Sequence, residues 1–183
     1  MHSFSKTQRG FTLLELMLTI SVTAVLLGLA VPSFLETVRN NRLIAQNNEF
    51  IGALNFTRSE ALKRSASVSM CASTDAATCS GDTDFTTGWI VFSDRDANGD
   101  MDGDPDGDPT TDDGDGLLQT WPAAPTEFTL NATNQSFVRF GSSGMSSAAE
   151  TFDLVRTGCV GLHARRIDVS VVGRVSTTTV ACP

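Results

Sequence analysis

The sequence predicts an α+β protein in which one long amino-terminal helix, apolar enough in its first half to span a membrane, packs on an antiparallel β-sheet head. Three observations lead there. From Phe11 to Val31 fifteen of twenty-one residues are Phe, Leu, Met, Ile, Val or Ala. As a helix rising ~1.5 Å per residue they cover ~30 Å, the hydrocarbon thickness of a bilayer. Beyond Pro32 apolar residues recur at helical spacing: Leu35 and Val38, Leu43 and Ile44, Phe50 and Ile51, Leu54, and Ala61 with Leu62. After Arg64 the period changes to two.

The first element is therefore a helix from Phe11 to about Arg64, in which Pro32 lacks an N–H and bends or loosens the turn that leaves the membrane. Asn40, Asn41, Asn47 and Asn48 lower helix propensity, a small cost that packing against a sheet overrides. Among the strands, Val68–Cys71 alternates, Trp89–Phe92 is a short apolar run, and Ser136–Phe140 alternates again. Thr126–Leu130, Thr151–Val155, Ile167–Val171 and Arg174–Val180 complete the set, the last two joined by a turn at Val172 and Gly173. The chain thus divides into a leader (1–10), a membrane helix (11–34) and a head (35–183) that carries an acidic loop (94–116).

One spanning segment in 183 residues leaves room for a single head of ~120–150 residues, too little for a multidomain enzyme. The net charge is −8, yet residues 94–116 alone hold ten Asp and one Arg, so everything else carries +1. Local charge, not the total, decides what the surface can bind. The two histidines are His2, in the leader, and His163. Without a nucleophile–base pair or a Gly-x-Ser-x-Gly elbow, the sequence does not read as an enzyme. Trp89 and Trp121 read as core or sheet-edge anchors.

Cys71, Cys79, Cys159 and Cys182 follow the membrane segment and read as two disulfides in an oxidising compartment. Three pairings are open. In the most economical, Cys71–Cys79 closes a short loop and Cys159–Cys182 ties the last strand to its neighbour. There is no CxxC pair and the downstream chain offers only His163, so the thiols do not read as a zinc site.

Glu15 is the anomaly, because a carboxylate deep in hydrocarbon costs roughly 2.5–3.5 kcal/mol and usually marks function. A second reading stands beside that one. One turn into the helix, Glu15 can reach the headgroups and favour the positive helix end by ~0.3–1 kcal/mol.

The junction Arg9-Gly10-Phe11-Thr12-Leu13-Leu14-Glu15 resembles the type IV prepilin signature. The resemblance implies cleavage between Gly10 and Phe11 by a prepilin peptidase, N-methylation of Phe11, and a role for Glu15 in neutralising a neighbouring subunit's amino terminus during assembly. An ordinary secretory signal, with Lys6 and Arg9 as its basic region and Ala30 as its cleavage site, fits less well. Its apolar region would be too long, and the helical pattern continues past Pro32.

Leu54–Arg64 with Val68–Cys71, Gly88–Asp94, Phe140–Gly144, and the ending from Gly173-Arg174-Val175 to Cys182-Pro183 are similar to the GspH/FimT family of minor pilins and pseudopilins. That likeness implies a type IV pilin-like fold and a structural, low-copy subunit of a type IV pilus or a type II secretion pseudopilus. It implies insertion in a bacterial inner membrane with leader cytoplasmic and head periplasmic, and no cofactor. The implied partners are other minor and major pilins or pseudopilins, the prepilin peptidase and the inner-membrane assembly platform.

Two segments raise further functions. Asp94, Asp96, Asn98, Asp100 and Asp102 place oxygen ligands at alternate positions, with Gly99 among them, as in the opening of a calcium loop. Pro105 stands where an EF-hand needs a bidentate Glu, so the alternative is a solvated acidic turn. Calcium is the one ligand this segment suggests, for a subunit at a filament tip, and millimolar calcium is expected to raise the melting temperature. Arg165, Arg166 and Arg174, with His163, form a candidate basic patch for DNA capture in transformation. DNA-binding relatives show Gly-Arg-x-Arg, whereas Gly173-Arg174-Val175-Ser176 lacks the second arginine.

Overall fold

The structure, a computed structural model, describes residues 10–101 and 114–183, Pro32 by its backbone alone. It divides into two compact units, one ending at Arg42 and one spanning Leu43–Pro183. Helix α1 (Leu13–Arg64) runs unbroken through Pro32. It starts where Thr12 caps it: the Thr12 hydroxyl accepts from the Glu15 N–H at 3.2 Å. It stops because Ser65 turns left-handed (φ 52°) and the Ala66 N–H reaches back to the Ala61 carbonyl at 3.3 Å.

In the first unit every described side chain from Phe11 to Thr37 is exposed, and an 18-residue window has mean hydropathy 2.2. The helix is long and apolar enough to cross a membrane. Three hydroxyls in this stretch are satisfied within it: Thr19 donates to the Leu16 carbonyl, Ser21 to Leu18 and Thr23 to Thr19, at 2.7–2.8 Å.

In the second unit the helix buries Leu43, Phe50, Ala53, Leu54, Thr57 and Ala61, a stripe of three- and four-residue steps. Ile44 and Leu62, which the periodicity placed on that stripe, are exposed. Gln46 and Asn47 are buried on the helix, and the Asn47 amide oxygen accepts from the Thr177 hydroxyl at 3.1 Å. A buried polar group is tolerated when it is paired in this way.

Eight strands follow among the described residues: β1 (Val68–Ala72), β2 (Trp89–Ser93), β3 (Gly116–Trp121), β4 (Phe128–Ala132), β5 (Phe137–Phe140), β6 (Glu150–Arg156), β7 (Ala164–Val169) and β8 (Val175–Val180). They form two antiparallel four-stranded sheets, in the orders β3-β2-β1-β5 and β4-β6-β7-β8. One core joins the helix to both: Val68, Met70, Trp89 and Val91 from the first sheet, and Leu130, Phe152, Leu154 and Ile167 from the second. The second sheet keeps the alternation of a one-sided sheet. In the first, β1 is buried at every position, because on the sheet's other face Cys71 of β1, with Ile90 and Phe92 of β2, lies under Cys79, Met101 and Phe137.

Disulfides join Cys71 to Cys79 and Cys159 to Cys182. The eight-residue loop of the first is organised by Asp75, whose carboxylate accepts from the Thr78 and Ala77 N–H groups and from the Thr78 and Ser73 hydroxyls. The Thr78 N–H first, then that of Ala77, holds the Asp75 carboxyl well below the usual carboxylate range. A depressed folded value contributes stability above the unfolded pKa of about 4 and loses it as pH falls toward the folded value. Asp75→Asn is therefore expected to lower the urea midpoint at neutral pH, with the gap to the parent closing as pH drops below about 4. A gap that stays constant with pH would assign the effect to packing.

Gly144 and Gly173 explain two of the segments that carry the family likeness. The Arg58 guanidinium on α1 donates to the Gly144 carbonyl at 2.9 Å and to the Val172 carbonyl at 3.3 Å. A Cβ at Gly173 (φ 77°) would lie 2.0 Å from the Gly144 oxygen, so this junction admits only glycine.

Candidate functional site

Three groups of residues were singled out by the sequence, and the structure treats them differently. At the amino-terminal end, Gly10 and Phe11 precede the cap of α1 and are exposed, Phe11 by 82%. Glu15 occupies the third helical position after Thr12, the Thr-x-x-Glu spacing of a capping box, and its side chain is exposed. It is the one ionisable residue between Gly10 and Leu35. Met1–Arg9, with His2, Lys6 and Arg9, lie outside the described residues.

The acidic segment is fastened at both ends. The Gly116 N–H donates to the Ser93 hydroxyl at 2.8 Å, and the Arg95 N–H donates to Asp115 Oδ1 at 2.9 Å. Asp94, at the end of β2, is fully buried. Its Oδ2 accepts from the Ser69 hydroxyl at 2.5 Å and from the Gly99 N–H at 3.1 Å. Gly99 needs its freedom here: φ is 83°, and a Cβ would meet the Phe137 ring at 2.4 Å. Burial first, then the neighbouring charges of Asp115 and Asp96, push the Asp94 carboxyl up, against the Ser69 hydroxyl and the Arg139 charge.

Oxygens of Asp94, Asp96 and Asp115 lie within 4.8 Å of one another. Asn98 and Asp100, expected as ligands, serve local turns: Asp96 accepts from the Asn98 backbone and amide, Asn98 Oδ1 accepts from the Asp100 N–H, and Asp100 Oδ1 from the Met101 N–H. Asp102 and the run through 113, including Pro105, lie outside the described residues. Asp115 was missed by a scan along alternate positions because β2 and β3, paired at Ser93 and Gly116, bring it back from the far side of the loop.

Of the basic residues in the candidate patch, Arg166 is the one shown in an ion pair. Arg166 donates twice to Asp153, at 2.8 and 3.1 Å, across β6 and β7. Arg165 points to Thr179 on β8. Arg174 lines a cleft of about 390 Å³ together with Glu150 and Asp168. His163 is exposed in the turn before β7.

A membrane-length helix followed by a disulfide-bonded antiparallel head is the architecture of a type IV filament subunit. Residues 46–173 match the family described as type II transport protein GspH, and residues 5–31 match the prokaryotic N-terminal methylation motif. The chain belongs to the GspH family of minor pilins and pseudopilins, membrane-anchored structural subunits that assemble with other pilins. Two crystal structures of the type IV minor pilin FimU of Pseudomonas aeruginosa share the fold. In one the TM-score is 0.57 at 17% identity, covering 76% of this chain and 90% of that one. In the other it is 0.52 at 18%, covering 72% and 88%. No curated protein matches the chain.

Proposed function

We propose that the chain is an assembly or priming subunit of a type IV pilus or a type II secretion pseudopilus. It is cleaved after Gly10, methylated on Phe11 and held in the inner membrane by residues 11–34, with the leader cytoplasmic and the head periplasmic. An assembly platform then lifts it into a filament among major and minor subunits. The observation that carries this reading is the exposed apolar stretch 11–34, which holds a single carboxylate, Glu15, four residues after the new amino terminus. Such a helix has one way to bury its surface outside a bilayer, which is against copies of itself and related helices. Glu15 would then meet a subunit's amino-terminal charge where the dielectric is low, and each ion offsets the other's desolvation only if both are present.

The test is a clean deletion in the source bacterium, complemented in trans and scored together for surface pili with twitching and for exoprotein secretion. Loss of pili with secretion intact assigns the subunit to the pilus, and loss of secretion with pili intact assigns it to the secretion machine. A deletion that leaves both at parental levels contradicts the proposal.

A further inference from the structure

The geometry points to a calcium site at the neck of the acidic loop, formed by Asp94, Asp96 and Asp115. Two observations bear on it. The first is the convergence of three carboxylates, from the end of β2 and the start of β3, with oxygens within 4.8 Å of one another. Ligand oxygens bound at 2.3–2.6 Å around calcium are separated by up to about 5 Å, so separations of this size are compatible with one ion held among the three. The second is Asp94 Oδ1: it is fully buried, and among the described residues it has no hydrogen-bond partner, although Oδ2 of the same carboxylate has two.

A buried carboxylate oxygen is costly to leave unpaired; Trp89 Nε1 and Glu150 Oε2 are also unpaired among the described residues, and of the three only Asp94 Oδ1 belongs to a member of the carboxylate cluster. The donor set selects the ion's class. All three ligands are hard carboxylate oxygens, and Cys79, the nearby sulfur, is closed in a disulfide. Three charges on a partly open site suit the weak end of the calcium range, with Kd of ~0.1–1 mM, as in extracellular modules. Bound there, the ion would tie Asp94 to Asp115 and pin both roots of the loop. The site differs from the alternate-position set of an EF-hand: its third ligand comes from beyond the loop.

The experiment is calorimetric titration of calcium chloride into the full chain in non-ionic detergent micelles after chelator treatment, with thermal unfolding alongside. One saturable event is expected, with a melting temperature raised by roughly 3–6 °C at about ten times Kd. Asp115→Asn keeps the oxygen that accepts from the Arg95 N–H, and it is expected to weaken calcium at least about tenfold, read against the chelated form of the same variant. Asp100→Asn removes the same charge from within the loop and is expected to leave Kd within about twofold. A melting temperature indifferent to calcium, or equal losses in the two variants, would overturn the site, the latter by reducing it to diffuse attraction.

Discussion

Phe50→Ala is expected to destabilise the head by about 3–5 kcal/mol, a large part of what a domain of this size possesses. Phe50 is fully buried, and its ring meets Phe152 at 4.8 Å, Trp89 at 5.2 Å and Phe85 at 5.7 Å, each edge to face. Those three rings come from the second sheet, the first sheet and the segment between β1 and β2. Truncation therefore leaves a cavity at the point where helix and both sheets meet, with stiff aromatic walls that cannot collapse into it. Urea unfolding of the full chain in detergent, followed by the fluorescence of Trp89 and Trp121, measures the loss. A change below about 1 kcal/mol would mean that the helix is not the spine of the head.

Glu15→Ala is the second large effect, and it falls on assembly alone. Removing one partner of a buried ion pair costs roughly 3–5 kcal/mol, so incorporation into filaments should fall by about a hundredfold or more. Membrane insertion should not suffer, because a carboxylate in hydrocarbon opposes insertion. The capping geometry supplies the competing account, in which Glu15 serves only the start of α1. Glu15→Gln separates the two: it keeps a capping side chain and loses the charge. Assembly lost equally in both variants supports pairing with an amino terminus, and assembly retained by Glu15→Gln supports the cap.

Much of the fold was legible because local patterns carried it. The helix to Arg64 followed from three- and four-residue spacing, and seven of the strands from short apolar or alternating runs near the positions observed. β3 was not legible. Gly116–Trp121 is an edge strand, half exposed along its length, and it is defined by its register with β2, not by its own composition. The division into two sheets was hidden for the same reason, since strand order depends on pairings far apart in sequence. Burial on both faces of β1 erased the alternation expected of Ser69 and Cys71.

The candidate sites divide along the same line. Gly10, Phe11 and Glu15 lie close together in sequence, so a motif could find them. Asp94 and Asp115 are twenty-one residues apart, and only the closure of the loop at Ser93 and Gly116 brings them together. Arg165 and Arg166, neighbours in sequence, alternate across β7 and meet different partners, as a period of two requires.

The measurement that bears most directly on the central claim is mass spectrometry of filaments sheared from the source bacterium, or of pseudopili induced to extend. The expected result is this chain at low copy, beginning at Phe11 with a methylated amino group. A chain confined to the membrane fraction, with residues 1–10 still attached, would contradict it.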